Sequence, residues 1–62
     1  MKFVELTRTG GEKLVVNVSK INEMRTTQQT DGEFCTLINL DSGDEVVKET
    51  VEEIMHKIGE TL

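Results

Sequence analysis

The chain has no proline, no tryptophan and no tyrosine, and in 62 residues it carries one cysteine, one histidine and two phenylalanines. Each scarcity removes a class of explanation. Cys35 stands alone, so no disulfide can close within the chain and no zinc-type cysteine spacing exists, which points to a reducing, cytoplasmic setting. Phe3 and Phe34 are too few to build a stacking platform for nucleic-acid bases. His56 has Glu52 and Glu60 at four-residue offsets, but a zinc site needs three or four ligands, and the group reads as a solvated helix face. No apolar run approaches the length of a membrane span, and Glu5 interrupts the stretch from Met1 to Val4 in which a signal sequence would have begun. No metal, cofactor or membrane is expected. The lack of proline also leaves the edges of any sheet without one of the usual guards against further strand pairing.

What is present describes one small domain spanning residues 1–62, with 35% apolar and 31% charged residues. A chain of this size buries only about 60% of the surface its unfolded form exposes, and a single core of this kind supplies roughly 3–5 kcal/mol. Self-association would add buried area. The net charge is −5 and unevenly spread: residues 1–31 hold five basic and four acidic side chains, and residues 32–62 hold two basic and eight acidic. Such acidity repels a phosphate backbone. A nucleic-acid role would need Lys2, Arg8, Lys13, Lys20 and Arg25, all in the less acidic half, to gather on one surface.

Val4 and Leu6 alternate with Glu5 and Thr7, and Thr9-Gly10-Gly11-Glu12 punctuates the run before Leu14, Val16 and Val18 resume it, which predicts a hairpin. Ile21 and Met24 are spaced by three, which a regular strand does not allow, so a bulge or a single helical turn belongs near residues 19–22. The polar stretch Thr26-Thr27-Gln28-Gln29-Thr30 is compatible with a strand, and Asp31-Gly32 reads as a two-residue turn with positive φ at both positions. Phe34, Thr36, Ile38 and Leu40 then face one way and Cys35, Leu37 and Asn39 the other. Asp41-Ser42-Gly43-Asp44 returns the chain into a strand over 45–48.

The sharpest local signal is Val46 to Ile54, where a strand pattern becomes a capped helix. Thr50 can accept from the N–H of Glu53 while the Glu53 carboxylate accepts from the N–H of Thr50, satisfying two otherwise orphaned donors. From there Val51, Ile54, Met55, Ile58 and Leu62 form one apolar stripe, and Glu53 and Lys57 lie four apart in the favourable order for an ion pair. The expected fold is therefore α+β: a curved antiparallel meander of about five strands over 1–48, with one helix over 50–60 packed on its concave face. Leu6, Leu14, Val16, Ile21, Phe34 and Ile38 are the expected sheet partners of the helix stripe. Thr50, Glu53, Val51, Ile54, Met55, Ile58, Gly32 and Gly43 carry structural roles.

Little in the chain is suited to catalysis. Cys35, on a strand among apolar residues and Thr, reads as a small hydrophobe rather than a nucleophile. Asp41, Asp44 and Glu45 lack the alternating oxygens and distal Glu of a calcium loop and read as a hairpin tip. Gly10-Gly11 has no helix after it to cradle a phosphate. A non-enzymatic interaction module is expected, with Val15, Leu37, Thr26, Thr27, Gln28 and Gln29 as its candidate contact surface and a second copy or another protein as partner.

Leu6-Thr7-Arg8, the turn at Gly10-Gly11, Val16-Asn17, Ile21, Leu40 to Gly43 and Val46 to Ile54 together resemble the small flagellar FlbD-like proteins and similar short proteins encoded in phages and prophages of Gram-positive bacteria. The resemblance covers nearly the full chain and rests on turn glycines and a helix cap. It implies an accessory role without catalytic residues. The long polar excursion from Thr26 to Glu33, and the end of the chain just after Gly59 without a basic tail, favour the phage-like branch.

Overall fold

The computed structural model describes residues 2–60. Five antiparallel strands and one C-terminal helix make a small α+β fold: β1 (Phe3–Thr7), β2 (Lys13–Asn17), β3 (Ile21–Gln28), β4 (Phe34–Leu40), β5 (Gly43–Val47) and α1 (Val51–Glu60). The strands divide between two sheets, β1-β2 and β3-β4-β5. A 3-10 turn over Val18–Lys20 joins them, with the Asn17 side chain accepting from Ser19 N at 3.0 Å, and the β3–β4 register shifts between Ile21 and Glu23. The register shift lies within the three-residue spacing of Ile21 and Met24 and accounts for it, and the helical turn precedes it.

Two of the turns use the same device. Gly11 N donates to Arg8 O while Arg8 N donates to Glu12 O, and Gly32 N donates to Gln29 O while Gln29 N donates to Glu33 O. Each is a tight turn closed by a glycine bulge, with φ of +96° at Gly11 and +90° at Gly32, a region in which a Cβ is strained. This corrects the expectation for Asp31-Gly32. Only Gly32 takes positive φ, and the Asp31 carboxylate instead accepts from Glu33 N at 3.0 Å. The two-residue connection falls at Asp41-Ser42, between the paired residues Leu40 and Gly43.

One core serves both sheets and the helix. Val4, Leu6, Val16, Ile38, Val47 and Ile54 are buried, with Leu14, Val18, Ile21, Met24, Leu40 and Ile58 packed against them. Helix α1 lies against β1 and β3. Two expected core residues are not there. Phe34 begins β4 just beyond the loop, pairs only with Gln28 at the end of β3, and is 67% exposed. Met55 is 56% exposed, because the buried stripe is narrower than the sequence pattern and runs through Val51, Ile54 and Ile58. Leu62 lies outside the described residues.

The sheets are joined at Thr7. Because Arg8 and Glu12 form a hydrogen-bonded pair, Thr7 and Lys13 form the next, non-bonded pair, and the N–H and C=O of Thr7 point away from β2. Both find partners just after β5. Lys48 N donates to Thr7 O at 2.8 Å, and Thr7 N donates to Glu49 Oε1 at 2.9 Å. The same alternation turns the Glu5 carbonyl outward, where it accepts from Lys57 Nζ at 3.1 Å. Lys57 therefore serves β1 rather than the expected pair with Glu53, whose carboxylate is occupied by the cap. The buried Thr36 hydroxyl donates to Glu49 O at 2.6 Å, tying the corner to β4 as well.

The cap forms as expected: Thr50 N donates to Glu53 Oε1 and Glu53 N to Thr50 Oγ1, each at 3.1 Å. Partial burial pushes the Glu49 carboxyl up, but the hydrogen bonds from Thr7 and from its own N–H, with the charge of Lys57, outweigh it and hold the group below the usual glutamate range.

Two outcomes are expected from this packing. Thr50→Ala should cost about 1 kcal/mol and Ile54→Ala about 2–5, with half-buried Ile58→Ala costing less than Ile54→Ala. Urea unfolding of the three variants checks this, and unchanged midpoints would show that the helix does not pack on the sheets. For Glu49, a folded pKa below the unfolded one means that the unfolded chain takes up the proton first. Its contribution is therefore complete above the ordinary glutamate range and is lost as pH falls through the depressed folded value. Glu49→Gln should flatten that acid limb of stability against pH, and a limb of unaltered steepness would contradict the assignment.

Candidate functional site

The surface residues proposed from sequence do not form one patch. Val15 is 61% exposed on β2, opposite Glu5 and diagonal to the half-exposed Phe3, so the outer face of the first hairpin carries a small apolar pair. Leu37 lies in the other sheet, half-buried between Arg25 and Val46. Thr26, Thr27 and Gln28 belong to β3, and Gln29 closes the β3–β4 turn. Residues 26–28 thus sit along a strand that has a neighbour on one side only.

Phe34 is the feature that sequence reasoning placed in the core. It stands at the rim of a cleft of about 410 Å³, lined also by Thr9, Gln29, Asp31, Glu33, Cys35 and Lys48. The cleft lies where the β1–β2 turn, the β3–β4 turn and the residue after β5 converge, which no local pattern could have revealed. Cys35 is buried at 5% exposure, so its sulfur packs as a small apolar group and offers little to solvent. The rim is mainly acidic and polar, with Lys48 as its cation.

The remaining candidates have structural partners. His56 Nε2 lies 2.8 Å from Glu60 Oε1 on an exposed helix face. At the β4–β5 tip, Asp44 accepts from Asn39 Nδ2 at 2.6 Å, Asp41 accepts from Asn22 Nδ2 at 3.0 Å, and Glu45 pairs with Arg8 at 2.7 Å. Among the described residues no group of three His, Cys, Asp or Glu side chains is placed to hold a metal ion. No described helix is long and apolar enough to cross a membrane. Gly32 and Gly43 serve turns, as their positive φ values require.

Four of the five basic residues of the first half lie within ion-pair distance of a carboxylate. Arg8 pairs with Glu45, Lys13 lies 3.7 Å from Glu5, Lys20 lies 3.9 Å from Asp41, and Arg25 lies 3.7 Å from Glu23. In comparisons with known proteins, the chain matches no family model, no curated protein and no solved structure.

Proposed function

We propose that this chain is a non-enzymatic interaction module, an accessory protein of the FlbD-like or phage-encoded kind that acts in the cytoplasm by contact with a protein surface. The observation that carries the reading is Phe34. A phenylalanine 67% exposed at the lip of a cleft, in a chain with only two aromatics, is a side chain whose hydrophobic area is left for another surface to cover. A folding role would have placed it inward, as the alternation of β4 allows.

The alternative of a nucleic-acid-associated regulator draws less support. It would need Lys2, Arg8, Lys13, Lys20 and Arg25 to act together, and all but Lys2 face a carboxylate. The net charge of −5 adds a repulsive field.

A photoreactive phenylalanine analogue at position 34, introduced in the cells that make the protein, tests the reading. Irradiation should yield a discrete adduct absent when the same group replaces Ser42, at the opposite end of β4. No adduct at position 34, or the same products from both positions, would overturn it.

A further inference from the structure

We propose that β3 is a self-recognition edge: two copies pair antiparallel through their β3 strands about a twofold axis at Met24, with Glu23 of each copy opposite Arg25 of the other. This is a separate claim from what docks at Phe34: the two surfaces adjoin, since Thr26 of β3 lines one small pocket with Phe34 and Gln28 pairs with Phe34, but the charges that fix this register lie at Glu23 and Arg25.

The fold closes one sheet edge and leaves this one open. On β1 the outward groups of Thr7 are bonded to Lys48 and Glu49, and the outward carbonyl of Glu5 to Lys57. On β3 the bonded turn pair Gln29 and Glu33 sets the phase. Counting back, Thr27, Arg25 and Glu23 exchange bonds with β4, so the N–H and C=O of Met24, Thr26 and Gln28 point away from it. Among the described residues, no other strand or side chain meets those groups. An open groove of about 630 Å³ runs beside them, lined by Met24, Arg25 and Thr26 with Thr50, Val51 and Glu52 of the helix start. A strand of eight residues without proline, whose outward backbone groups have no strand beside them, is a template for another strand.

The occupant follows from charge. Glu23 and Arg25 are two residues apart on one face, well exposed, with Arg25 Nη1 3.7 Å from Glu23 Oε1. In a twofold antiparallel pair centred on Met24, the two Met24 residues exchange backbone bonds. Glu23 and Arg25 then fall opposite each other at a non-bonded position, where cross-strand side chains are closest. Centring the pair on Glu23 would oppose two carboxylates, and centring it on Arg25 would oppose two guanidiniums. The sequence of β3 therefore complements itself in one register and repels itself in the neighbouring ones. The edges of β2 and β5 offer no such pairing: β2 centred on Val15 would set Lys13 opposite Asn17, and β5 centred on Val46 would set Glu45 opposite Val47.

Sedimentation equilibrium over a wide concentration range tests this with four proteins: wild type, Glu23→Arg, Arg25→Glu and the double exchange Glu23→Arg/Arg25→Glu. The substituted side chains are exposed, and circular dichroism verifies that each variant is folded. Wild type should dimerise, and each single variant should dimerise at least about tenfold more weakly, because like charges then face each other twice. The double exchange should restore the wild-type constant. Mixing the two single variants should give a mixed dimer, since an all-basic strand then meets an all-acidic one. A wild type that stays monomeric at every concentration would overturn the proposal, as would a dimer indifferent to these charges or a double exchange as weak as the singles. A photoadduct at position 34 to a foreign protein is a separate readout, so failure of self-pairing and failure of the proposed function are told apart.

Discussion

The two outward-pointing backbone groups of Thr7 are the constraint on which this fold depends. A two-stranded hairpin is marginal in water, and the β1-β2 sheet is no more than that until Thr7 is bonded to Lys48 N and to the Glu49 carboxylate. Those bonds turn five strands in two sheets into walls of a single core, and they also fix the corner from which the helix departs. Glu49 is held from three directions: its carboxylate by Thr7, its carbonyl by the buried Thr36 hydroxyl, and its position by Lys48. Thr50 follows immediately, so the cap begins in a place the sheet has already determined. Ile54 can then reach full burial between β1 and β3. Bonds made by partly buried polar groups have more effect here than their modest net energies suggest, because a domain this small has little reserve.

Much of this was legible in the sequence, for identifiable reasons. The reciprocal cap of Thr50 and Glu53 is a local event within four residues, and it forms as the pattern implies. The first hairpin was marked by Gly10-Gly11 between two alternating runs, and the bulge near residue 21 by a spacing that breaks strand periodicity. Phe34 misled because alternation assigns a face, not a depth: it shares a face with Ile38 but sits at the strand end, where no element covers it. Met55 misled because the helix meets the sheets along a line narrower than its full apolar arc. The role of Glu49 left no trace in periodicity, since a side chain that bonds a backbone group 42 residues away has no spacing to read. Its place just before Thr50 suggests no more than a carboxylate favoured by the helix dipole.

The division of the surface follows from the same construction. Helix α1, through Lys57, and the corner at Glu49 shield β1, while β3 keeps its outer edge and a groove beside it. The cleft at Phe34 forms where two turns and the residue after β5 meet, so its shape depends on the seam holding both sheets in place. Most basic side chains of the first half are set in pairs, with Arg8, Lys13, Lys20 and Arg25 each against a carboxylate. That pattern suits contacts chosen by local complementarity and shape over long-range attraction. Both proposed contact surfaces thus rest on the closure at Thr7, to which Lys48 of the cleft contributes its backbone N–H.

Native-state hydrogen exchange of the backbone amides tests the central claim, that the Thr7 seam makes both sheets one cooperative unit. If it does, the slowest amides of β1 and β2, such as Leu6 and Val16, should open with the same free energy as Ile38 in β4, and all should equal the global unfolding free energy. Opening of the β1-β2 hairpin at a much lower free energy, with β3-β4-β5 still protected, would contradict the account and show two sheets that merely touch.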